Sequence, residues 1–128
     1  MKIMIIEDDA DTCMSLGQVL QEDGHETLCV ADGYLALERI RTLKFKPDLF
    51  ILDIAMPVMN GFDFRDHQLK SHQLCHIPVI VFSASHLSDW MRDKLGADAY
   101  LSKPISIKDL AEAIKKLKIT KPKRMGNT

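Results

Sequence analysis

Five short runs of apolar residues, many of them β-branched, recur along the chain and predict five β-strands. They lie at Lys2 to Ile6, Glu26 to Val30, Leu49 to Leu52, Val79 to Phe82 and Ala99 to Leu101. Runs of this length between polar or turn-forming segments are typical of strands. Their nearly continuous apolar character further indicates strands covered on both faces, as in a parallel sheet.

The segments between these runs carry apolar residues at helical spacing and predict five helices. The first has Leu16, Val19 and Leu20 on one face and is expected to end near Gly24. The second opens at Asp32, and the others are predicted after Gly61, from Leu87 to Leu95 and from Ile107 to Leu117.

Three of the predicted helices also have identifiable inward faces. In the fourth helix, we expect Trp90 to pack with Met91 and Leu95 against the sheet. The inward faces of the second and fifth helices are expected to consist of Leu35, Leu37, Ile40 and Leu43, and of Leu110, Ala113, Ile114 and Leu117.

Regular alternation of strand and helix predicts the α/β class, as a single (βα)5 doubly wound domain. Parallel strands need crossover connections, which are mostly right-handed helices. A length of 128 residues suits one domain. In such open sheets, ligands bind outside the carboxyl ends of the strands.

Composition narrows the class of protein. The chain is 46% hydrophobic and 27% charged, as in ordinary globular domains, and it has no apolar run long enough to cross a bilayer. The three cysteines, Cys13, Cys29 and Cys75, are odd in number and lack metal-ligand spacing. We therefore expect no disulfide framework, no membrane contact and a cytoplasmic location.

Charge is distributed unevenly along the chain. Residues 115 to 128 hold six of the 17 basic side chains and no acid, which leaves 11 basic against 18 acidic side chains before them. A body with this acidic excess repels phosphate backbones, so direct nucleic-acid binding by the folded part is not expected. We divide the chain into a folded domain at 1–118 and a basic flexible tail or linker at 119–128.

Polar side chains follow four of the five predicted strands. Glu7 and Asp8 come after the first strand, Asp53 after the third, Ser83 after the fourth and Lys103 after the fifth. Carboxylates that converge from neighbouring strands repel one another, and a divalent cation such as Mg²⁺ relieves that repulsion. An ammonium and a hydroxyl on the same edge suit a tetrahedral oxyanion such as a phosphoryl group.

Each of these residues also has a simpler interpretation. Acids at strand ends can be solvated or cap the next helix, as Asp9 or Asp11 could do here. Lys103 could be an ordinary surface lysine and Ser83 an ordinary turn residue. The combination on one edge favours a functional site.

Four motifs at these strand ends resemble the response regulator receiver domain of two-component signalling. They are IIEDD at 5–9, LDIAMPVMNG at 52–61, FSA at 82–84 and YLSKP at 100–104, and the resemblance covers about residues 1–118. It implies a flavodoxin-like fold with strand order 2-1-3-4-5.

The resemblance implies that Asp53 is the phosphoacceptor, attacking the phosphohistidine of a sensor histidine kinase or of a phosphotransfer protein. Mg²⁺, or alternatively Mn²⁺, would be held by Glu7, Asp8, Asp53 and the backbone carbonyl of Ala55. Lys103 would assist the transfer by contacting the phosphoryl oxygens.

The resemblance also implies a conformational switch rather than a conventional enzyme. Ser83 and Tyr100 match the family's switch positions, and a cis peptide is expected between Lys103 and Pro104. The downstream protein partner would bind the face formed by the fourth helix, fifth strand and fifth helix, where Trp90 is a candidate contact. Phosphorylation would bias two conformations by adding charge.

Other functions remain open alternatives. One is a degenerate receiver that acts by phosphorylation-independent binding. A haloacid-dehalogenase-like Mg²⁺-dependent phosphohydrolase would need an acid where Ala55 stands, and its nucleophile would follow the first strand. A flavodoxin-type cofactor site is disfavoured because the acids at 7–9 would repel a phosphate. The spacing of His67, His72 and His76 does not favour a zinc site.

Overall fold

The computed structural model describes residues 1–54, 59–84 and 86–120, with side chains described as far as residue 117. Strands and helices alternate throughout. The elements are β1 (Lys2–Ile6), α1 (Ala10–Glu22), β2 (Glu26–Val30), α2 (Gly33–Thr42), β3 (Leu49–Asp53), α3 (Gly61–Leu69), β4 (Val79–Ser83), α4 (Asp89–Leu95), β5 (Ala99–Ser102) and α5 (Ile107–Thr120).

The five strands form one parallel sheet in the order β2-β1-β3-β4-β5. This order confirms the predicted flavodoxin-like α/β class. Because β1 and β3 are neighbours, Ile6 lies beside Leu52 and the two strands end at the same edge. Residues that follow β1 and β3 are therefore brought together.

Alternate strand residues point into two separate cores, one on each face of the sheet. Met4 and Leu52 pack with residues of α2, α3 and α4, whereas Ile5 and Ile51 pack with α1 and α5. Every residue of β3 is buried. Burial on both faces explains why these strands read as almost continuous apolar runs.

Side-chain caps mark where four helices begin. The carboxylates of Asp9 and Asp32, the Asn60 amide oxygen and the Ser88 hydroxyl each accept a hydrogen bond from a backbone N–H in the first turn. The Asp9 cap confirms one of the simpler interpretations of the acids after β1. Each cap satisfies a backbone donor that the helix itself leaves unpaired.

Two predicted core residues are exposed instead. Trp90 is 67% exposed, with the Lys94 ammonium 5.3 Å from its ring centroid, so the expectation that it packs against the sheet is wrong. The α4 helix is only seven residues long, and Met91 and Leu95 supply its inward contacts. Leu43 is 61% exposed because it lies one residue beyond the last helical residue of α2, as its C-cap, and not on the inward face of the helix.

The prediction about cysteines is also wrong. The structure joins Cys13 of α1 to Cys29 of β2 by a disulfide, leaving Cys75 exposed and outside the pair. Their spacing along the chain resembles no disulfide framework, but the helix folds back across the strand that follows it. The two positions consequently face each other with Cα atoms 6.0 Å apart.

A buried polar network ties α3 to the end of α4. The Arg65 guanidinium donates to the backbone carbonyls of Leu95 (2.6 Å) and Gly96 (2.7 Å) and to the side-chain oxygen of Gln68 (2.7 Å). The Gln68 amide in turn donates to the carbonyls of Leu74 and Ile77. Burial lowers the pKa of Arg65, and the nearby negative charge of Asp98 opposes that shift.

The last helix extends beyond its predicted end. It runs to Thr120, and residues 121–128 lie outside the described part of the chain. The division into a domain at 1–118 and a basic tail at 119–128 stays a prediction. Among the helices that the structure describes, none is both long and apolar enough to cross a bilayer.

Candidate functional site

Three carboxylates converge at the carboxyl ends of β1 and β3. One oxygen each from Glu7, Asp8 and Asp53 lies within 4.8 Å of the others. Glu7 and Asp53 are each only 2% exposed, whereas Asp8 faces solvent. The neighbouring strands β1 and β3 produce this arrangement, because Asp53 ends one and Glu7 directly follows the other.

Lys103 closes this cluster from the end of β5. Its ammonium nitrogen lies 2.9 Å from Glu7 Oε1 and 3.3 Å from Asp53 Oδ2. The Lys103 backbone N–H donates to the Ser83 carbonyl (2.9 Å), and the peptide that joins Lys103 to Pro104 is cis. A single lysine thus contacts two buried carboxylates from different strands.

The surroundings of Glu7 disfavour its charged form. Burial raises the pKa of its carboxyl, and the negative charge of Asp53 adds to that rise. The Asp9 N–H, which donates to Glu7 Oε2 at 2.9 Å, and the Lys103 ammonium act in the opposite direction. The raising effects outweigh the lowering ones, so the pKa of Glu7 lies above its usual value. A further positive charge at this position would stabilise the ionised carboxylate.

The Glu7 oxygen that lacks a hydrogen bond is Oε1. This atom is buried and has no hydrogen-bond partner among the residues that the structure describes. Lys103 is close enough for an ion pair, but the angles fall outside those of a hydrogen bond. A buried carboxylate oxygen without a hydrogen bond is a suitable ligand for a cation. Because three carboxylates surround one ammonium, the cluster is suited to a divalent ion that prefers oxygen ligands.

The carboxylates have the converse effect on Lys103. Burial alone would lower its pKa, but the close ion pair with Glu7 and the charge of Asp53 outweigh that effect. The pKa is therefore raised, and Lys103 is charged at neutral pH. The Phe82 ring, 5.1 Å from the ammonium, covers one side of it.

Ser83 and Tyr100 lie on one face of the sheet, near the cluster. Tyr100 pairs with Val81, and Ser83 is two residues further along the same strand, so all three side chains share a face. The Tyr100 hydroxyl donates to the Arg92 carbonyl (2.8 Å) and accepts from the Ala97 N–H (2.9 Å). The ring is consequently directed towards the end of α4.

One predicted metal ligand is not tested by these contacts. Ala55, proposed to offer its backbone carbonyl to a metal ion, lies outside the described residues. His67, His72 and His76 are exposed and join no cluster of metal-ligating side chains in the described part of the chain.

Sequence reasoning missed two contributors to the site. One is the Asp9 N–H on Glu7, and the other is the Phe82 ring beside Lys103. Phe82 directly precedes a predicted site residue, so its position in a motif was visible. The backbone N–H has no sequence signal beyond the cap that places Asp9.

Comparisons with known proteins agree with this geometry. Residues 3–115 match the family described as response regulator receiver domain. PdtaR, a transcriptional regulatory protein of Mycobacterium tuberculosis, is 40% identical over 115 residues, which cover 88% of this chain and 54% of PdtaR. The chain thus spans about half the length of that relative.

Two further proteins are similar over nearly their whole length. The polar-differentiation response regulator DivK of Brucella anthropi is 33% identical over 115 residues, covering 88% of this chain and 92% of DivK. The solved structure of the chemotaxis protein CheY4 of Vibrio cholerae superimposes with a TM-score of 0.82 at 26% identity, covering 90% of this chain and 96% of CheY4. With its sheet order, acidic cluster and matching motifs, the chain belongs to the response regulator receiver family of two-component signalling.

Proposed function

We propose that this chain is a phosphorylation-dependent signalling switch that accepts a phosphoryl group on Asp53. The donor is the phosphohistidine of a sensor histidine kinase or of a phosphotransfer protein. The observation that carries the proposal is the convergence of Glu7, Asp8 and Asp53 with Lys103 at the ends of three strands. Membership of the receiver family supports the same function.

In the transfer, an Asp53 carboxylate oxygen forms a bond to phosphorus while the phosphorus–nitrogen bond of the donor breaks. The electron pair of that bond goes to the donor's imidazole nitrogen. Asp53 ends the fully buried central strand β3, so its position is held by neighbours on both sides. Fixed positioning and electrostatic stabilisation are the main sources of rate in phosphoryl transfer.

Lys103 contributes the positive charge for this step. Its ammonium already lies 3.3 Å from Asp53 Oδ2, beside the place where the phosphoryl oxygens would come to rest. Its raised pKa keeps it protonated throughout. We propose that it contacts a phosphoryl oxygen as the P–O bond forms, which stabilises the developing charge.

Glu7, Asp8 and Asp53 are the proposed ligands of Mg²⁺ or Mn²⁺, with the Ala55 carbonyl as a further ligand. The fit rests on the donor set and on the buried Glu7 oxygen without a hydrogen bond. When bound, the ion screens the phosphoryl charge from the attacking carboxylate. Glu7 holds its share of the site rigidly, because its other oxygen is already bonded to the Asp9 N–H.

The proposed response passes from Ser83 to Tyr100. The Ser83 hydroxyl would donate to a phosphoryl oxygen, and the Tyr100 ring, on the same face, would leave its contacts with Arg92 and Ala97. This rearrangement alters the surface of α4, β5 and α5, where the exposed Trp90 offers apolar area to a protein partner.

Intact mass spectrometry after incubation with acetyl phosphate, with and without Mg²⁺, tests the proposal. We expect a metal-dependent gain of one phosphoryl group that Asp53→Asn abolishes. Asp66→Asn is the matched control, because Asp66 is an exposed carboxylate on α3 that pairs only with Lys70 among described contacts. This control should gain the group like the wild type.

A donor preference could hide the reaction, so beryllofluoride binding supplies a second measurement. A Mg²⁺-dependent complex that Asp53→Asn loses would support the acceptor site. If neither the phosphoryl gain nor the complex is observed, the proposal is wrong. The remaining hypothesis is then a degenerate receiver that acts by protein binding alone.

A further inference from the structure

Cys13 and Cys29 lie opposite each other where α1 crosses the edge strand β2. Their Cα atoms are 6.0 Å apart, within the range of about 4.4 to 6.8 Å that a disulfide can span. Gly17, one turn after Cys13, brings the helix close: a Cβ there would lie 3.3 Å from the Thr27 hydroxyl. The backbone thus places the two sulfurs together without any other element between them.

The two cysteines differ sharply in accessibility. Cys13 is 3% exposed, within the core formed with α1 and α5. Cys29 is exposed and lines an open groove with Met14, Gln21 and Thr27. A dissolved thiol or disulfide would therefore meet the Cys29 sulfur first.

We propose that Cys13 and Cys29 form a reversible thiol–disulfide exchange site for low-molecular-weight thiols and disulfides, with Cys29 as the entry sulfur and Cys13 as the resolving sulfur. Exposed disulfides are the ones most readily exchanged. The site lies apart from the acidic cluster, so the inference does not depend on the proposed phosphoacceptor function.

Oxidation proceeds in two exchanges. The Cys29 thiolate attacks one sulfur of a small disulfide such as oxidised glutathione, forming a mixed disulfide and expelling one glutathione thiolate. The Cys13 thiolate then attacks the Cys29 sulfur and expels the second. The two protons lost by the cysteines are taken up by the two expelled thiolates, so one protein disulfide and two glutathione molecules result.

The bridge has a structural consequence for the edge of the sheet. It closes a loop between positions 16 residues apart and fastens α1 to β2. Removing that freedom from the unfolded chain should raise the melting temperature by roughly 10 °C relative to the reduced protein.

The test uses the full chain with Cys75→Ser, which removes the third, exposed cysteine as a competing thiol. The protein is equilibrated with reduced and oxidised glutathione, quenched in acid, alkylated and weighed intact. We expect a form that lacks two hydrogens and resists alkylation, with Cys13 and Cys29 cross-linked in the peptide map. Dithiothreitol should restore two alkylatable thiols.

Single variants separate the two roles. Cys13→Ser should trap glutathione on Cys29, because no resolving thiol remains. Cys29→Ser should remain unmodified at the buried Cys13. Absence of the cross-link, failure of dithiothreitol to open it, or equal glutathione capture by both variants would overturn the proposal. A cross-linked form that melts no higher than the reduced form would overturn the claim that the bridge fastens α1 to β2.

Discussion

Replacing Arg65 by Met should destabilise the fold strongly while leaving the chain folded. Methionine keeps much of the apolar stem but removes all three donor nitrogens, Nε, Nη1 and Nη2. The carbonyl of Leu95 and the side-chain oxygen of Gln68 then remain buried without their partner. The carbonyl of Gly96 is at the surface and can bind water instead.

The expected size of the effect follows from those two buried acceptors. Each buried acceptor left without a partner costs about 1 to 3 kcal/mol, and relief of the buried guanidinium's desolvation returns part of that cost. We expect a net loss of about 3 kcal/mol in the free energy of unfolding. Small domains have about 5 to 15 kcal/mol in total, so the variant should still fold.

Urea denaturation followed by circular dichroism measures this loss. With an m-value of about 1.5 kcal/mol/M, the midpoint should fall by roughly 2 M. The control is Lys70→Met, which removes an exposed α3 ion pair with Asp66 and should cost about 0.5 kcal/mol or less. If Arg65→Met costs as little as this control, the network does not hold α3 to α4 as described.

Three further changes test the core, the site and the switch region. Phe64→Ala removes a fully buried ring packed edge-on against Phe50 at 5.0 Å, and should cost about 3 to 5 kcal/mol in urea denaturation; a loss below about 1 kcal/mol would contradict this packing. Folding raises the pKa of Lys103. Its contribution to the free energy of unfolding is therefore complete below the ordinary lysine pKa and is lost as the pH rises through the pKa of the folded state. In metal-free protein, the melting-temperature difference between wild type and Lys103→Met should therefore shrink at strongly alkaline pH, and a constant difference would refute this assignment. Arg92→Ala removes the guanidinium 4.6 Å from the Tyr100 ring centroid and should cost about 0.5 to 1 kcal/mol, with a changed tyrosine ring signal in NMR spectra; unchanged ring resonances would count against the contact.

Much of the fold could be predicted because the three inner strands, β1, β3 and β4, are buried on both faces. The runs around Ile5, Ile51 and Ile80 stand out against the polar segments beside them, and helical spacing recurs between the strands. The order of the strands did not follow from periodicity. It came from the resemblance of the strand-end motifs to a family.

Long-range packing accounts for what the sequence analysis missed. Tryptophan is a residue type typical of a core, but Met91 and Leu95 occupy the inward positions of α4, and the Trp90 side chain is left in solvent. Cys13 and Cys29 are brought together only by the return of the chain through β2. Arginine is usually a surface residue, and Arg65 can be buried because it donates to a backbone carbonyl 30 residues away along the chain.

The candidate site was more predictable than its energetics. Glu7, Asp53 and Lys103 were identified because parallel strands end at a common edge. The lack of a hydrogen bond at Glu7 Oε1 and the raised pKa values of Glu7 and Lys103 depend on distances of a few ångströms, which no residue pattern encodes.

The sheet order also gives the molecule a gradient of local opening. Asp53 ends the central strand, whose residues are all buried, whereas Tyr100 belongs to an outer strand that is only partly covered. Backbone amides of β3 should therefore exchange with deuterium only when the whole domain unfolds, and those of β5 through smaller local openings. Under the proposed function, phosphorylation of Asp53 at the end of β3 would therefore change the position of β5, because β5 can move without unfolding the rest of the domain.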